Sequence, residues 1–465
     1  MTHTAIGERS QAPVGSRSAA RLGAPLGPWC DGAGATTGAP STNAARSATL
    51  ALLGLAAVVS LAGILAVQTS SRIGAPPFAG QWRLLPPWPG GVAMAAAVAA
   101  AVVAVATRTT YVSHIRWCWL LAGSLLGALV WSVALALVDG PAELLGSLGG
   151  RYDYLAAISD AGSPGTFLDG FLADHAAWPL HVQGHPPGMV LLLLGLDAIG
   201  LARVGVIAAL VLVGGSATVP AVLVATRNLA GEVAARRLAP VLVLAPAAIW
   251  WSSADALFAG VAAWAVALSV LSTGRRGPVS WWLALAAGVL GAASLMLSYG
   301  LVLLGGVPVA VAAWRRRFAP LAASAAVVGL AYVAVRAAGF DWWGGLEATR
   351  AAYERGVAQD RPYFVFLVAN LVVFAAAVGP AAVAGLLRTV RAGRAKPLAV
   401  VAGSTMTCVL VADLSGFSKG EVERIWLPFV PWVAVATEAL PERKPWLIAS
   451  GLTAVVLSVV LEARW

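Results

Sequence analysis

The chain has 465 residues, of which 59% are hydrophobic and only 11% are charged. A soluble globular domain carries about twice that charged fraction, so the composition excludes a soluble enzyme and predicts an all-α polytopic membrane protein in a lipid bilayer. The net charge of +10 is spread over short clusters between apolar segments. Such clusters orient membrane helices, and their scatter excludes a nucleic-acid partner.

Two regions divide the sequence. Residues 1–46 are rich in Gly, Ala, Ser, Thr and Pro and predict a disordered cytoplasmic tail. Residues 47–465 predict a single transmembrane domain of about 13 helices, each an apolar run that matches the bilayer thickness. The predicted spans are 48–68, 90–107, 116–138, 204–226, 239–253, 256–273, 281–297, 300–314, 318–336, 364–388, 397–412, 425–439 and 445–461.

The Lys and Arg clusters orient these spans, because such residues collect on the cytoplasmic side of the plasma membrane. The N-terminus is then inside, and three loops lie outside, at 139–187, 337–363 and 413–424. The apolar segment 188–202 would reverse every later span if it crossed, so it is predicted to be re-entrant or interfacial. Most acidic residues, which did not enter the orientation, fall on the outer face. This asymmetry indicates that the outer face carries the function.

The first outer loop contains an acid between two tyrosines, Tyr152-Asp153-Tyr154. A carboxylate in that position can act as a general base toward a sugar hydroxyl, and tyrosine rings can stack on a pyranose. The alternative is a solvated loop acid without a chemical role.

The same loop ends in His185-Pro186-Pro187. The prolines are explained by the start of the next helix, where Pro is tolerated, but His185 is not, and it can hydrogen-bond a phosphate. His175 and His181 are weaker candidates, because loop histidines are usually exposed.

Two residues stand where later helices meet on the outer side. Asp255 is an ionisable group at the start of an apolar helix, which suits either a substrate site or an N-cap for the helix at 256–273. Tyr299 occupies the equivalent break between two later helices and is a candidate substrate-binding residue.

The second outer loop carries Tyr353, Arg355 and Arg361. Together with neighbouring tryptophans, these side chains suit a sugar phosphate or a lipid headgroup.

The third outer loop has four charges within six residues, at Lys419, Glu421, Glu423 and Arg424. The cations can neutralise a phosphate. The two glutamates can pair with them, or bind a divalent cation such as Mg²⁺ or Mn²⁺ together with Asp153. The alternative is an exposed cluster of salt bridges.

From about residue 120 to 430 the chain resembles the GT-C superfamily of integral membrane glycosyltransferases. The resemblance rests on Asp153 after an early membrane helix, on His185-Pro186-Pro187, on the helix pair from Pro246 to Asp255, and on Glu423-Arg424 at an outer helix mouth. The His-Pro-Pro element is similar to the protein O-mannosyltransferase and aminoarabinose-transferase branch. The rest of the chain looks more like actinobacterial integral membrane proteins of this class.

The resemblance implies a polyprenyl-phosphate sugar donor, a glycan, lipid or protein acceptor, and inversion at the anomeric carbon. Asp153 would be the base, and Arg424, Lys419 and His185 would hold the lipid phosphate. The paired acids usual in this loop are absent, because Asp153 is followed by Tyr154 and Leu155.

Two other functions stay open: a transporter or flippase for a lipid-linked glycan, and an inactive scaffold in envelope biogenesis. A transporter predicts charges inside the spans, and these spans are nearly free of charge. Convergence of Asp153, His185 and Arg424 would favour the transferase, whereas three separate outer loops would favour the alternatives.

Overall fold

A computed structural model describes residues 42–69, 74–108, 114–142, 144, 148–392 and 396–462. The predicted disordered tail at 1–46 lies mostly outside these residues. Its last five residues, 42–46, are described and are helical, since the first helix begins at Thr42.

The described chain is almost entirely helical. The α-helices of its first half are α1 (Thr42–Gln68), α2 (Pro89–Thr107), α3 (Trp117–Ala136), α4 (Ile158–Ala161), α5 (Pro164–Gly170), α6 (Leu180–Gln183), α7 (Gly188–Asp197), α8 (Val204–Ser216), α9 (Thr218–Ala230) and α10 (Glu232–Val243). Those of its second half are α11 (Ala254–Gly274), α12 (Pro278–Leu297), α13 (Gly306–Arg315), α14 (Ala319–Ala337), α15 (Trp342–Arg355), α16 (Tyr363–Ala392), α17 (Pro397–Leu414), α18 (Val422–Ile425), α19 (Val430–Ala434) and α20 (Lys444–Val460).

Shorter elements connect these helices. The 3-10 helices are Leu137–Asp139, Tyr154–Ala157, His175–Ala177, Pro246–Trp250, Tyr299–Gly305, Val357–Asp360, Leu427–Phe429 and Val435–Ala439. Strands β1 (Gln81–Trp82) and β2 (Leu461–Glu462) pair antiparallel, with Gln81 opposite Glu462. This pair ties the loop after α1 to the end of α20.

The prediction of an all-α polytopic membrane protein is confirmed. Among the described residues, nine helices are long and apolar enough to cross a membrane. They are Arg46–Gln68, Pro89–Thr107, Trp117–Asp139, Val204–Ala230, Ala254–Gly274, Pro278–Leu297, Ala319–Ala337, Tyr363–Val390 and Pro397–Leu414. Each coincides with a predicted span. Large apolar side chains on their outer surfaces are exposed, such as Leu53 and Leu330, as expected of helices that face lipid.

Three further predicted spans, at 300–314, 425–439 and 445–461, fall on shorter apolar segments. The predicted span at 239–253 is wrong as a continuous helix. α10 ends at Val243, and the chain continues through the 3-10 helix Pro246–Trp250. Pro246 has no amide hydrogen to extend the helix, and it disfavours helical geometry in the residue before it.

The two ends of α11 carry different charged residues. α11 is 21 residues long, about 30 Å, which matches the hydrocarbon thickness. Asp255 lies in its first turn. Near its other end, Thr273 and the Val270 carbonyl accept hydrogen bonds from Arg315. The orientation expected from the Lys and Arg clusters stays a prediction.

The segment predicted not to cross is α7. Its ten residues extend about 15 Å, half of the hydrocarbon thickness. It packs on the short helices Tyr154–Ala157 and Ile158–Ala161 of the preceding loop and on α12. At its start, a Cβ on Gly188 would lie 2.3 Å from the carbonyl oxygen of Met296. α7 is therefore held close to the loop that precedes it.

The crossing of α8 and α11 is the tightest place in this part of the bundle. A Cβ on Gly260 would lie 2.1 Å from the Gly214 carbonyl oxygen and 2.8 Å from its carbonyl carbon. Such backbone-to-backbone approach is typical of small residues at membrane helix interfaces. We expect Gly260→Ala to force the helices apart and to lower the free energy of unfolding by about 1–3 kcal/mol.

Thermal unfolding in detergent measures this effect. Gly329→Ala in α14 is the matched control, because nothing lies within 4 Å of a Cβ at that position. Equal unfolding temperatures for both variants would contradict the close crossing.

Candidate functional site

Asp153 and His181 come together where the two halves of the loop at 139–187 meet. The Asp153 Oδ1 accepts a hydrogen bond of 2.8 Å from the Tyr154 amide, which caps the helix Tyr154–Ala157. The His181 amide donates to the Tyr152 carbonyl at 3.0 Å. These bonds bring His181 Nδ1 to 3.6 Å from Asp153 Oδ1. Asp153 is only 4% exposed, so it is not a solvated loop acid.

The two tyrosines beside Asp153 have different surroundings. Tyr154 is buried, and its ring packs against His181, His185 and Phe258, with centroids 5.8–6.2 Å apart. Burial, the largest effect, and the charge of Asp255 raise the pKa of Tyr154 well above its ordinary value, so its hydroxyl stays neutral. Tyr152 is exposed. Of the two rings predicted to stack on a sugar, Tyr152 is the accessible one.

His185 faces Asp255. Its Nδ1 lies 2.9 Å from the His181 carbonyl oxygen, and its Nε2 lies 3.7 Å from Asp255 Oδ1. A carbonyl only accepts, so His185 Nδ1 carries a hydrogen. Its Nε2 therefore faces the Asp255 carboxylate. Both residues are buried.

The structure contradicts one of the two interpretations of Asp255, the N-cap of α11. The residue at the N-cap of α11 is Ser253, which makes no side-chain cap bond. The Asp255 carboxylate instead faces His185 and Arg424. Asp255 therefore belongs to the buried charged cluster.

Arg424 is the centre of this cluster. Its Nε lies 3.5 Å from Asp255 Oδ2, and its Nη2 donates to Glu421 Oε2 at 3.1 Å. Its Nη1 lies 3.5 Å from His181 Nε2. Burial disfavours the charged guanidinium, but the carboxylates of Asp255 and Glu421 outweigh burial and raise the pKa of Arg424. The cluster is thus arranged around a permanent, buried cation.

The loop that carries Arg424 has an unusual backbone. Gly420 has φ +93° and Glu421 has φ +63°, a region that a residue with a side chain rarely adopts. Asn370 of α16 holds the loop there. Its side chain donates to Asp413 and to the Ser418 carbonyl, and it accepts from the Gly420 amide. Asn370 is a positioning residue that the sequence did not reveal.

The second and third loops are joined by two of the predicted residues. Arg361 Nη1 lies 3.6 Å from Glu421 Oε1, and the Tyr353 hydroxyl accepts from the Lys419 amide at 2.5 Å. The Lys419 ammonium donates to the Ala358 carbonyl at 3.0 Å. Lys419 thus holds the two loops together, and its ammonium is engaged by the second loop.

Two predicted substrate-binding residues lie elsewhere. Tyr299 is buried against Trp342 with ring centroids 5.1 Å apart, and burial raises its pKa. Arg355 is exposed, and its charge acts on His175. In the part of the chain that the structure describes, neither side chain forms a hydrogen bond or an ion pair with Arg424.

Glu423 is fully buried and bonds to a group that the sequence did not predict. Its Oε1 accepts a 2.6 Å hydrogen bond from the Ala79 amide, in the loop after α1. Among the predicted acid–cation pairs of this loop, Glu421 with Arg424 forms, whereas Glu423 is committed to Ala79. Burial raises the pKa of Glu423 to about 8 from an ordinary value of 4.5.

This shift predicts a pH dependence of stability. The folded state holds a proton that the unfolded chain releases above about pH 4.5, so the free energy of unfolding falls as pH rises towards about 8. We expect Glu423→Gln to keep the bond to Ala79 and to remove this contribution. Thermal unfolding of both proteins between about pH 5 and 9 measures the difference, and identical pH profiles would contradict it.

The described residues do not form a preorganised set of ligands for the predicted divalent cation. Within the described ranges, no group of three or more His, Cys, Asp or Glu side chains could hold a metal ion. Of the three predicted ligands, Asp153 contacts the Tyr154 amide and His181, Glu421 contacts Arg424 and Arg361, and Glu423 contacts the Ala79 amide. A cation held by Asp153 and Glu423 stays a prediction.

Neither a scan against models of known protein families nor a search of curated proteins finds a match for this chain. A proposal for the function of the chain therefore rests on the chemistry of the Arg424 cluster.

Proposed function

We propose that this chain is a membrane glycosyltransferase of the GT-C type. It moves a hexose or pentose from a polyprenyl-phosphate donor to a glycan, lipid or protein acceptor on the extracytoplasmic side of the cell membrane. The observation that supports this most directly is the meeting of three loops around Arg424. Its guanidinium contacts His181 of the first loop and Glu421 of the third, and Glu421 contacts Arg361 of the second.

The two sides of this cluster suit the two halves of an inverting transfer. An acceptor oxygen attacks the anomeric carbon, and the bond from that carbon to the phosphate oxygen breaks with its electron pair on the phosphate. The acceptor proton is taken up at the Asp153–His181 side, where the resemblance assigns Asp153 as the base. General base catalysis of this kind contributes about 10²–10⁴-fold in rate.

The phosphate is held on the other side, by Arg424 and His185. A guanidinium binds phosphate through two parallel N–H bonds, and the charge that develops on the leaving phosphate is stabilised strongly in a water-poor site. Asp255 lies between these two groups, 3.5 Å from Arg424 and 3.7 Å from His185. It holds them in position before the donor arrives.

Transport of a lipid-linked glycan is the alternative. A transporter uses ionisable groups near the middle of its spans. The cluster described above lies instead in loops and in the first turn of α11, which favours transfer over transport.

Membrane vesicles that contain the chain test the proposal with radiolabelled polyprenyl-phosphate hexoses and pentoses. We expect labelled product from vesicles with the chain and none from vesicles without it. Movement of the labelled lipid between leaflets without transfer would overturn the proposal in favour of a flippase. Absence of both activities with every donor would leave the scaffold interpretation.

A further inference from the structure

The hydrogen positions on His181 follow from its two neighbours. Arg424 Nη1 can only donate, so His181 Nε2, 3.5 Å away, presents its lone pair. A neutral imidazole carries one hydrogen, which is then on Nδ1. Nδ1 faces Asp153 Oδ1 at 3.6 Å. The carboxylate thus selects the tautomer that leaves Nε2 basic.

We propose that His181 is the catalytic base of the transfer and that Asp153 is a positioning residue acting through it. This inference rests on the proposed function and assigns the proton-accepting atom to His181 Nε2 rather than to the Asp153 carboxylate. The arrangement is that of an acid that orients an imidazole, whose far nitrogen does the chemistry.

The step balances without a further reactant. His181 Nε2 takes the proton of the acceptor hydroxyl as its oxygen bonds to the anomeric carbon. The electron pair of the breaking carbon–oxygen bond passes to the leaving phosphate. His181 becomes an imidazolium, and the Asp153 carboxylate stabilises its charge. The separations of 3.5 and 3.6 Å are long for hydrogen bonds, as is common for catalytic groups before substrate binds.

Arg424 also controls when the His181 lone pair is accessible. Without substrate, Arg424 Nη1 covers the His181 lone pair. A donor phosphate offers the guanidinium a charged, bidentate partner and draws it away from the neutral imidazole. His181 Nε2 is uncovered once the donor is bound, so deprotonation of the acceptor follows donor binding.

His185 does not compete for this role. Its Nδ1 is engaged by the His181 carbonyl, and its Nε2 faces the Asp255 carboxylate at 3.7 Å. Both ring nitrogens of His185 thus face groups of the protein, and we place it on the phosphate side of the cluster.

The experiment compares His181→Ala with His175→Ala in bilayer nanodiscs, with the labelled donor that the wild type uses. His175 is a buried histidine of the same loop that packs on Phe171. We expect His181→Ala to lose about 10²–10⁴-fold in transfer rate, and added imidazole to restore at least about a tenfold part of that loss. His175→Ala should keep most of its activity and gain nothing from imidazole.

Two further outcomes separate a base from a structural residue. If Asp153 acts only through His181, the double variant Asp153→Asn/His181→Ala is no slower than His181→Ala alone. Near-normal transfer by His181→Ala, or a further loss in the double variant without imidazole rescue, would overturn the inference while the proposed function stood.

A second readout does not depend on activity. Solid-state ¹⁵N spectra of histidine-labelled protein, with His181→Ala to assign the signal, should show His181 protonated at Nδ1 only. Adding polyprenyl phosphate should shift the Nε2 signal as Arg424 leaves it. An Nε2–H tautomer would overturn the inference, whereas failure of every transfer assay with the Nδ1–H tautomer in place would reject the proposed function.

Discussion

Replacing Asp153 by Asn is expected to lower the rate of sugar transfer by about 10²–10⁴-fold while the protein still folds. The amide oxygen of Asn can accept the bond from the Tyr154 amide that now caps the helix Tyr154–Ala157. What is lost is the negative charge 3.6 Å from His181 Nδ1, to which our proposal assigns a part in proton uptake.

The measurement is transfer of labelled sugar in nanodiscs, with thermal unfolding of the same sample. Asp160→Asn is the matched control, because Asp160 is an exposed acid of the same loop that accepts only a local bond from Ser159 among the described contacts. The control should transfer at the wild-type rate. Unchanged transfer by Asp153→Asn would remove Asp153 from the mechanism.

Replacing Arg424 by Gln is expected to destabilise the protein and abolish transfer. Asp255 would keep its buried charge without the guanidinium 3.5 Å away. Removing one partner of a buried ion pair costs about 3–5 kcal/mol. His185 remains beside Asp255, so the expected loss is at the lower end of that range.

The double variant Asp255→Asn/Arg424→Gln tests the cause of this loss. With both charges removed, we expect part of the stability to return while transfer stays absent, because the proposed phosphate ligand is missing. Arg350→Gln is the control, since its pair with Glu354 is largely exposed and such pairs contribute little. An unchanged unfolding temperature for Arg424→Gln would show that the buried contact contributes nothing.

Much of the fold could be predicted because the bilayer reduces the problem to long apolar runs. Nine predicted spans are membrane-length helices. The prediction of a continuous helix at 239–253 is wrong for a local reason. Hydropathy registers only that these residues are apolar, whereas the backbone is broken where Pro246 cannot donate a hydrogen bond. Apolar composition does not distinguish a helix from a buried 3-10 segment.

The site was predictable to the extent that charge in an apolar chain is informative. Asp153, His185, Asp255 and Arg424 each stand out at an interface. The structure brings them together through contacts of 3.5–3.7 Å, with His181 between Asp153 and Arg424. The sequence ranked His181 only as a weaker candidate, because loop histidines are usually exposed. Its position depends on the Tyr152–His181 backbone bond, which no local pattern reveals. The spacing of His181 and His185, one helical turn apart, was the available signal.

Asn370 and Glu423 illustrate a different limit. Asn370 lies within a predicted span, where the sequence alone marks it only as a tolerated polar residue. In the structure its side-chain amide hydrogen-bonds to Asp413, Ser418 and Gly420. Glu423 stands beside Arg424 in sequence, yet its carboxylate reaches Ala79, 344 residues away along the chain. Contacts of this range depend on the assembled fold.

The close crossing of α8 and α11 at Gly214 and Gly260 has an evolutionary consequence. It anchors the helix that presents Asp255, whereas His181, Glu421 and Arg424 lie outside the membrane-length helices. Loop sequences can therefore diversify without disturbing the helix crossing, and under the proposed function the preferred headgroup or acceptor would change with them. A lineage of such proteins would retain the carboxylate of α11 and vary the segments around it, provided that one loop still brings a guanidinium within reach.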